Sequence, residues 1–216
     1  MSLQKSYAVL GLGRYGYAVA CELTESGADV LAVDNDESIV NTAATKLPLC
    51  KCADVTDPAV IKQLGIGSMD VVIIAMAQNL EASVMATMLC KEAGVPTVIA
   101  KCANDMGRRI LYRVGADKVV FPETESGVRL AKNLLSAGFV DVIELSRDVC
   151  MVEMDVKPDW VGKSLIELAL RRRYGINVVA IRRGEDISVG IDPEKPFTAD
   201  MKLLVIANTA KFGKLK

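Results

Sequence analysis

The sequence predicts a doubly wound, parallel α/β sheet followed by a small α+β lobe, and three observations carry that prediction. Six apolar runs of strand length alternate with helical patterns over the first 121 residues, the rhythm of crossover connections in a parallel sheet. A glycine triplet, Gly11-x-Gly13-x-x-Gly16, stands directly after the first run and opens the first helical pattern. After Phe121-Pro122 the alternation ends and shorter strand-like runs take over.

The strands of the first domain are read at Tyr7 to Leu10, Asp29 to Val33, Leu49 to Cys52, Asp70 to Ala75, Thr97 to Ala100 and Lys118 to Phe121. Val71-Val72-Ile73-Ile74 is apolar without alternation, as expected for a strand covered on both faces. Helix starts are signalled by Asp57-Pro58, by Asn79 before Leu80 and by Asn104-Asp105. Helix ends are signalled by Gly27, Gly65, Gly94 and Gly115. Five right-handed crossover helices therefore fit between six strands.

One amphipathic stretch, Thr124 to Ser136, leads through Ala137-Gly138 into the second lobe, which places a boundary between domains 1–138 and 139–216. Strands are expected there at Asp141 to Leu145, Val149 to Asp155, Asn177 to Arg182, Ile187 to Ile191 and Met201 to Ala207, with one helix from Ser164 to Arg173. A lobe of this size is marginal alone, so pairing between chains would help it.

Composition narrows the function classes. Of 216 residues, 51% are hydrophobic and 25% charged, with a formal net charge of -1, which gives no general attraction for nucleic acid. The longest clean apolar run, Val71 to Ala77, is far below the roughly 18 residues of a membrane span, and no signal-peptide profile opens the chain. The expected location is cytoplasmic. The six cysteines lack C-x-x-C spacing and there is no histidine, so thiolate–imidazole metal sites and redox motifs have little support.

The glycine triplet carries the chemistry. Gly11 permits a tight turn, Gly13 lets backbone amides approach a phosphate, and Gly16 allows close packing of helix on strand. Asp34, ending the second strand, is placed to accept hydrogen bonds from ribose hydroxyls, which makes the domain Rossmann-like and nucleotide-binding. Asn35-Asp36-Glu37 supply no cation for a ribose 2′-phosphate, which disfavours NADP. Arg14 places a cation in the first turn of a helix, against the macrodipole. Two readings of it stand: it points into solvent, or it meets the terminal phosphate of a bound nucleotide.

Val9-Leu-Gly-Leu-Gly-Arg14-Tyr-Gly16, Leu31-Ala-Val-Asp34, Cys52-Ala-Asp54-Val-Thr, Gly115-Ala-Asp117 and Phe121-Pro-Glu123 resemble the RCK proteins, the regulators of K+ conductance of the KtrA and TrkA type. Gly162-Lys-Ser-Leu165-Ile166-Glu-Leu and Arg171-Arg-Arg-Tyr174-Gly175 are similar to the start of that family's C-terminal lobe. The layout of one N-lobe and one C-lobe matches the short KtrA-like members.

The resemblance implies a regulatory subunit of a K+ uptake system: a homo-oligomer of dimers in an octameric ring, docked on a separate membrane K+ transporter of the KtrB/TrkH type. Its N-lobe would bind ATP or ADP, and NAD(H) in some members. Gly11, Gly13, Arg14 and Gly16 would hold phosphates, with Tyr15 in the same nucleotide site, and Asp34 and Asn35 the ribose. Asp54, Val55 and the loop Ala75-Met76-Ala77 would face the adenine, with Lys101 and Arg108 near the same cleft. Glu123 matches the position at which two chains share Mg2+ or Ca2+; an acid near a helix start is also favoured by the macrodipole alone. Leu165, Ile166 and Arg171 match a cyclic di-AMP site; cations in the last turn of a helix are likewise favoured without a ligand.

Catalysis has little support. Without histidine, a dehydrogenase would need a Lys, Tyr or carboxylate relay, and no nucleophile–base pairing is legible. The chain is read as no enzyme, with an NAD-dependent oxidoreductase as the alternative. A DNA-binding repressor would need a helix-turn-helix and a basic face, and neither is visible.

Overall fold

The fold is described from a computed structural model that defines residues 5–135, 139–146 and 148–208. The first unit contains β1 (Ser6–Leu10), α1 (Arg14–Glu25), β2 (Asp29–Asp34), α2 (Glu37–Ala43), β3 (Cys50–Cys52) and α3 (Pro58–Gln63). It continues with β4 (Val71–Ile74), α4 (Leu80–Glu92), β5 (Thr97–Lys101), α5 (Asp105–Arg113) and β6 (Lys118–Val120). All six strands are parallel, in the order β3-β2-β1-β4-β5-β6.

Pleat alternation sorts the core. Ala8, Leu10, Leu31, Val33, Val72, Ile74, Val98 and Ala100 face one layer with Ile61, Ala86, Cys90 and Leu111 from α3, α4 and α5. Val9, Ala32, Val71 and Ile73 face the other layer with Ala20 of α1 and Ala43 of α2. Every residue of β4 is buried, so the non-alternating apolar run has a direct cause: both faces of the strand are covered.

The helix boundaries follow the sequence signals. Asp57 caps α3 by accepting from Ala59 N, Asn79 caps α4 from Ala82 N and Asn104 caps α5 from Gly107 N. Gly27, Gly65, Gly94 and Gly115 all take positive φ where helical segments end.

The second unit contains α6 (Pro122–Leu135), β7 (Phe139–Glu144), β8 (Val149–Asp155), α7 (Leu165–Leu168), α8 (Leu170–Tyr174), β9 (Ile176–Arg183), β10 (Asp186–Ser188) and β11 (Met201–Asn208). Its antiparallel sheet has the order β10-β9-β11-β8-β7. Cys150, Val152, Met154, Ile176, Leu203 and Val205 build its core with Trp160, Leu168, Leu170 and Phe197. Among the intervening residues, Glu153 accepts from Arg182 Nε at 2.9 Å and lies 3.7 Å from Lys202 Nζ.

Two local expectations, one helix and one strand of the second lobe, need adjustment, and the chain also groups into two units. The chain divides into compact units Met1–Pro122 and Glu123–Lys216, so α6 groups with the second unit. The sequence expectation places the boundary at 138, and among the described residues β6 is the last strand of the first sheet. Ser136 and the Ala137-Gly138 boundary themselves lie outside the described residues.

The expected helix Ser164 to Arg173 is broken at Ala169, which takes φ 47 and ψ 44. Leu168 and Leu170 are both buried, and two residues separated by 200° on one straight helix cannot face one core. The expected strand Ile187 to Ile191 shortens to β10, beyond which the Ser188 hydroxyl donates to Gly190 O instead of continuing a ladder.

The six cysteines are free thiols. Cys90, Cys102 and Cys150 are buried, Cys21 and Cys50 half-buried and Cys52 exposed; burial pushes the Cys90 thiol up to about 12.

Candidate functional site

The strand order reverses between β1 and β4, and in open α/β sheets the carboxyl ends flanking such a reversal form the ligand crevice. Gly11, Gly13, Arg14, Tyr15 and Gly16 follow β1, while Asp34 ends β2 and Asn35 follows it. Asp54 and Val55 follow β3, and Ala75, Met76 and Ala77 follow β4. Lys101 ends β5 and Arg108 lies in α5. All of these sit in the first unit.

The turn between β1 and α1 is shaped by what glycine lacks. Gly11 has φ +94, and a Cβ there would lie 2.8 Å from Met76 Cγ and 3.3 Å from the Ala75 carbonyl carbon. A Cβ on Gly16 would collide with Gly11 O and lie 3.0 Å from Ala75 Cβ. Gly13 is different: nothing stands within 4 Å of a Cβ built there. Two of the three glycines therefore permit close packing, and the third leaves open space where a phosphate could reach the backbone.

Gly13 is the N-cap of α1, with no side-chain cap and no acid in the first turn. The leading amides of a helix have no intrahelical acceptor, so this start presents donors and a positive dipole end. The Arg14 side chain is exposed and adds a full positive charge. The Lys101 ammonium stands 5.3 Å from the centroid of the half-buried Tyr15 ring, a cation–π contact that fixes a second cation beside the same turn. A nucleotide fits this donor set, which is cationic and amide-rich around an open backbone position.

Asp34 accepts from Leu12 N at 2.6 Å through Oδ2 and from Asp36 N at 3.0 Å through Oδ1. Asp36 in turn caps α2 by accepting from Ser38 N and Ile39 N, and donors from Ser38 hold its carboxyl below the usual range. The Thr56 hydroxyl and amide both donate to Asp54 Oδ1 and hold that carboxyl below the usual range too. Val55 is buried in the core and Asn35 is exposed. Beyond β4, Met76 O accepts from Asn79 N and the Ser83 hydroxyl, which ties the Ala75-Met76-Ala77 turn to α4.

Arg108 is turned toward its own surroundings: it lies 3.9 Å from Asp105 Oδ1 and stands over the Tyr112 and Phe121 rings. In the second unit, Glu123 is exposed in the first turn of α6. Leu165 packs against the core of that unit, Ile166 is 60% exposed, and Arg171 is exposed in α8 beyond the break at Ala169. No cluster of three or more potential metal-ligating His, Cys, Asp or Glu side chains exists among the described residues. No helix among them is long and apolar enough to cross a membrane.

Sequence reasoning missed two features of the turn: the Leu12 amide held by Asp34, and the Tyr15–Lys101 contact. Both join residues distant in the chain, and no local pattern encodes either.

Comparison with known proteins gives matches over both units. The model of the TrkA-N domain matches residues 7–122, and that of the TrkA-C domain matches residues 151–216. Ktr system potassium uptake protein C of Bacillus subtilis is 39% identical over 187 residues, 87% of this chain and 85% of its own length. Ktr system potassium uptake protein A of Vibrio alginolyticus is 37% identical over 183 residues, 85% of this chain and 83% of its own. Among solved structures, the GsuK channel bound to NAD aligns with 98% of this chain and 38% of its own, at 22% identity and a TM-score of 0.53, a likeness of fold.

Proposed function

The chain belongs to the TrkA-N/TrkA-C family that includes the Ktr system potassium uptake proteins, and from that membership we propose that it is the nucleotide-sensing regulatory subunit of a potassium uptake system. In this reading ATP and ADP bind at the β1–α1 turn and gate a separate membrane K+ transporter of the KtrB/TrkH type. The observation that carries it is the open space over Gly13 at an uncapped helix start, with Arg14 beside it.

The two nucleotides differ by one phosphate, so discrimination needs a group that meets the γ-phosphate. Arg14 is assigned that role; a charge-assisted bond of about 1.5–3 kcal/mol corresponds to roughly ten- to hundredfold in affinity. A ligand shifts a conformational balance only by its differential affinity for the two states, so this contact must differ between them.

Glu123 is assigned to a Mg2+ or Ca2+ ion shared with a second chain, and Leu165, Ile166 and Arg171 to cyclic di-AMP. The working assembly is a ring of dimers at the cytoplasmic face of the membrane, with no nucleic acid partner. The subunit is read as a regulator and not a catalyst: it has no histidine, and no nucleophile–base pairing is legible in its sequence. NAD(H) is kept as an alternative ligand of the same cleft, as in some members of the family that the chain resembles.

Titration calorimetry with ATP, ADP, NADH and cyclic di-AMP, with and without Mg2+ and Ca2+, tests the reading. Tight adenine-nucleotide binding is expected, with a smaller ATP–ADP difference in Arg14→Ala. Exclusive NADH binding would sink the proposal, and an unchanged ATP–ADP difference in the variant would remove Arg14 from it.

A further inference from the structure

The Asp34 carboxylate is held on both oxygens by the protein's own backbone. Oδ2 accepts from Leu12 N and Oδ1 from Asp36 N. Leu12 lies between Gly11 and Gly13 and is buried, the residue 4% exposed. The preceding amide, Gly11 N, donates to Val33 O at 2.8 Å. Two successive amides of the turn are thus committed to β2, one by its main chain and the next by the Asp34 side chain.

We propose that Asp34 is a positioning residue for the phosphate end of the nucleotide, acting through the Leu12 amide, in addition to any contact it makes with ribose. The inference rests on reading this cleft as an adenine-nucleotide site. Holding Leu12 N commits that donor within the protein and fixes the path of the chain from β1 into α1. The amides left for phosphate then begin at Gly13, over the open space noted above.

Two accepted amides favour a carboxylate over an amide side chain at this position. Each carboxylate oxygen carries two lone pairs, so one can accept a backbone amide while the other remains for a ribose hydroxyl. An asparagine offers a single acceptor oxygen and would turn its NH2 group toward one of the two amides. Bonds to an ionised acceptor are also roughly twice as strong as neutral ones. Asp34 further connects the turn to α2 through Asp36, which caps that helix. Ribose and phosphate occupancy are therefore coupled through one side chain.

The test measures binding of ATP and of 2′,3′-dideoxy-ATP, which lacks both ribose hydroxyls, to the full chain and to Asp34→Asn and Asp34→Ala. Amide hydrogen exchange without nucleotide is followed in parallel. In Asp34→Ala, affinity for dideoxy-ATP is expected to fall by about tenfold, because a turn no longer held in place must be ordered on binding. The segment around Leu12 should exchange faster, while β4 and β5 stay protected; Asp34→Asn should fall between parent and Ala. A ribose-only role predicts dideoxy-ATP affinities within about twofold of the parent and unaltered exchange at Leu12, and that result overturns the proposal. Faster exchange throughout β4 and β5 marks general loosening of the domain and also overturns it. If the parent binds no ATP, the reading of the cleft fails, and the exchange arm alone still decides whether Asp34 holds the turn.

Discussion

Two helix starts in this chain solve the same problem in opposite ways. The first amides of any helix lack partners. At α7 the protein supplies them itself: the Ser164 hydroxyl accepts from Glu167 N at 3.3 Å, and Glu167 Oε2 accepts from Ser164 N at 2.7 Å, a reciprocal capping box. At α1 it supplies no side-chain cap, no acid in the first turn, and a cation at the first position. A start that is closed is structure, and one left open beside a strand reversal is available to a ligand. The contrast is the physical content of the functional reading, and each substitution below is chosen to break or sharpen it.

The largest effect is expected at Gly16, where α1 is pressed onto β1 and β4. Gly16→Ala drives a methyl into Gly11 O and against Ala75 Cβ, both of which belong to constrained backbone turns. Overpacking of this kind costs about 3 kcal/mol, and the melting midpoint should fall by roughly 6–12 °C. Thermal unfolding checks it; a midpoint within about 2 °C of the parent would mean that α1 is free to move off the sheet.

Gly13→Ala separates packing from binding at the same turn. Its backbone, at φ -59 and ψ 178, is open to any residue, and no atom stands within 4 Å of the new methyl. Stability should stay within about 1 kcal/mol of the parent, because lower unfolded-state entropy offsets a weaker N-cap. Nucleotide affinity should drop by about tenfold, since the methyl occupies the space through which phosphate meets the amides. Calorimetry beside a melting curve reads both. Loss of stability with unchanged binding would reverse the assignment of roles between Gly13 and Gly16.

The contrast between the two starts also explains what could be read from sequence. The β1–α1 turn was legible because its conformation needs glycine at named spacings, and Gly11 and Gly16 leave no room for a side chain. The six strands of the parallel sheet were legible as apolar runs such as Val71 to Ile74, buried on both faces, whereas their order is set by tertiary pairing. The break between α7 and α8 was hidden, because the residue that turns left-handed is Ala169, an ordinary helix former. Burial of both Leu168 and Leu170 dictates that turn, and burial is a property of the tertiary core. Asp34 is expected from sequence as a ribose acceptor, but its bond to Leu12 N joins residues 22 apart and has no local signature.

Ala169→Gly sharpens the closed side. An L-residue in the left-handed region costs about 1–2 kcal/mol, and glycine gives back roughly 0.4–1 through the entropy of the unfolded chain. A net gain of roughly 0.5–1 kcal/mol is expected, raising the melting midpoint by about 1–4 °C. Nucleotide binding at α1 should not change. A decrease in stability would show that the Ala169 methyl contributes packing that outweighs its backbone strain.

The smallest effect concerns the charge in the capping box itself. The Ser164 amide, and then its hydroxyl, hold the Glu167 carboxyl below its ordinary value of 4.5, against a small opposing effect of burial. A carboxylate depressed in the folded state stabilises above its unfolded value, and that contribution fades as pH falls through the lower folded value. Glu167→Gln keeps an acceptor for Ser164 N and removes the charge. The variant should therefore be less stable than the parent at pH 7, and the two should converge on acidification below about 4.5. Urea midpoints taken from pH 7 to pH 3 follow this. A gap that persists in acid would assign the cap to geometry alone, so that charge would no longer distinguish the closed start of α7 from the open start of α1.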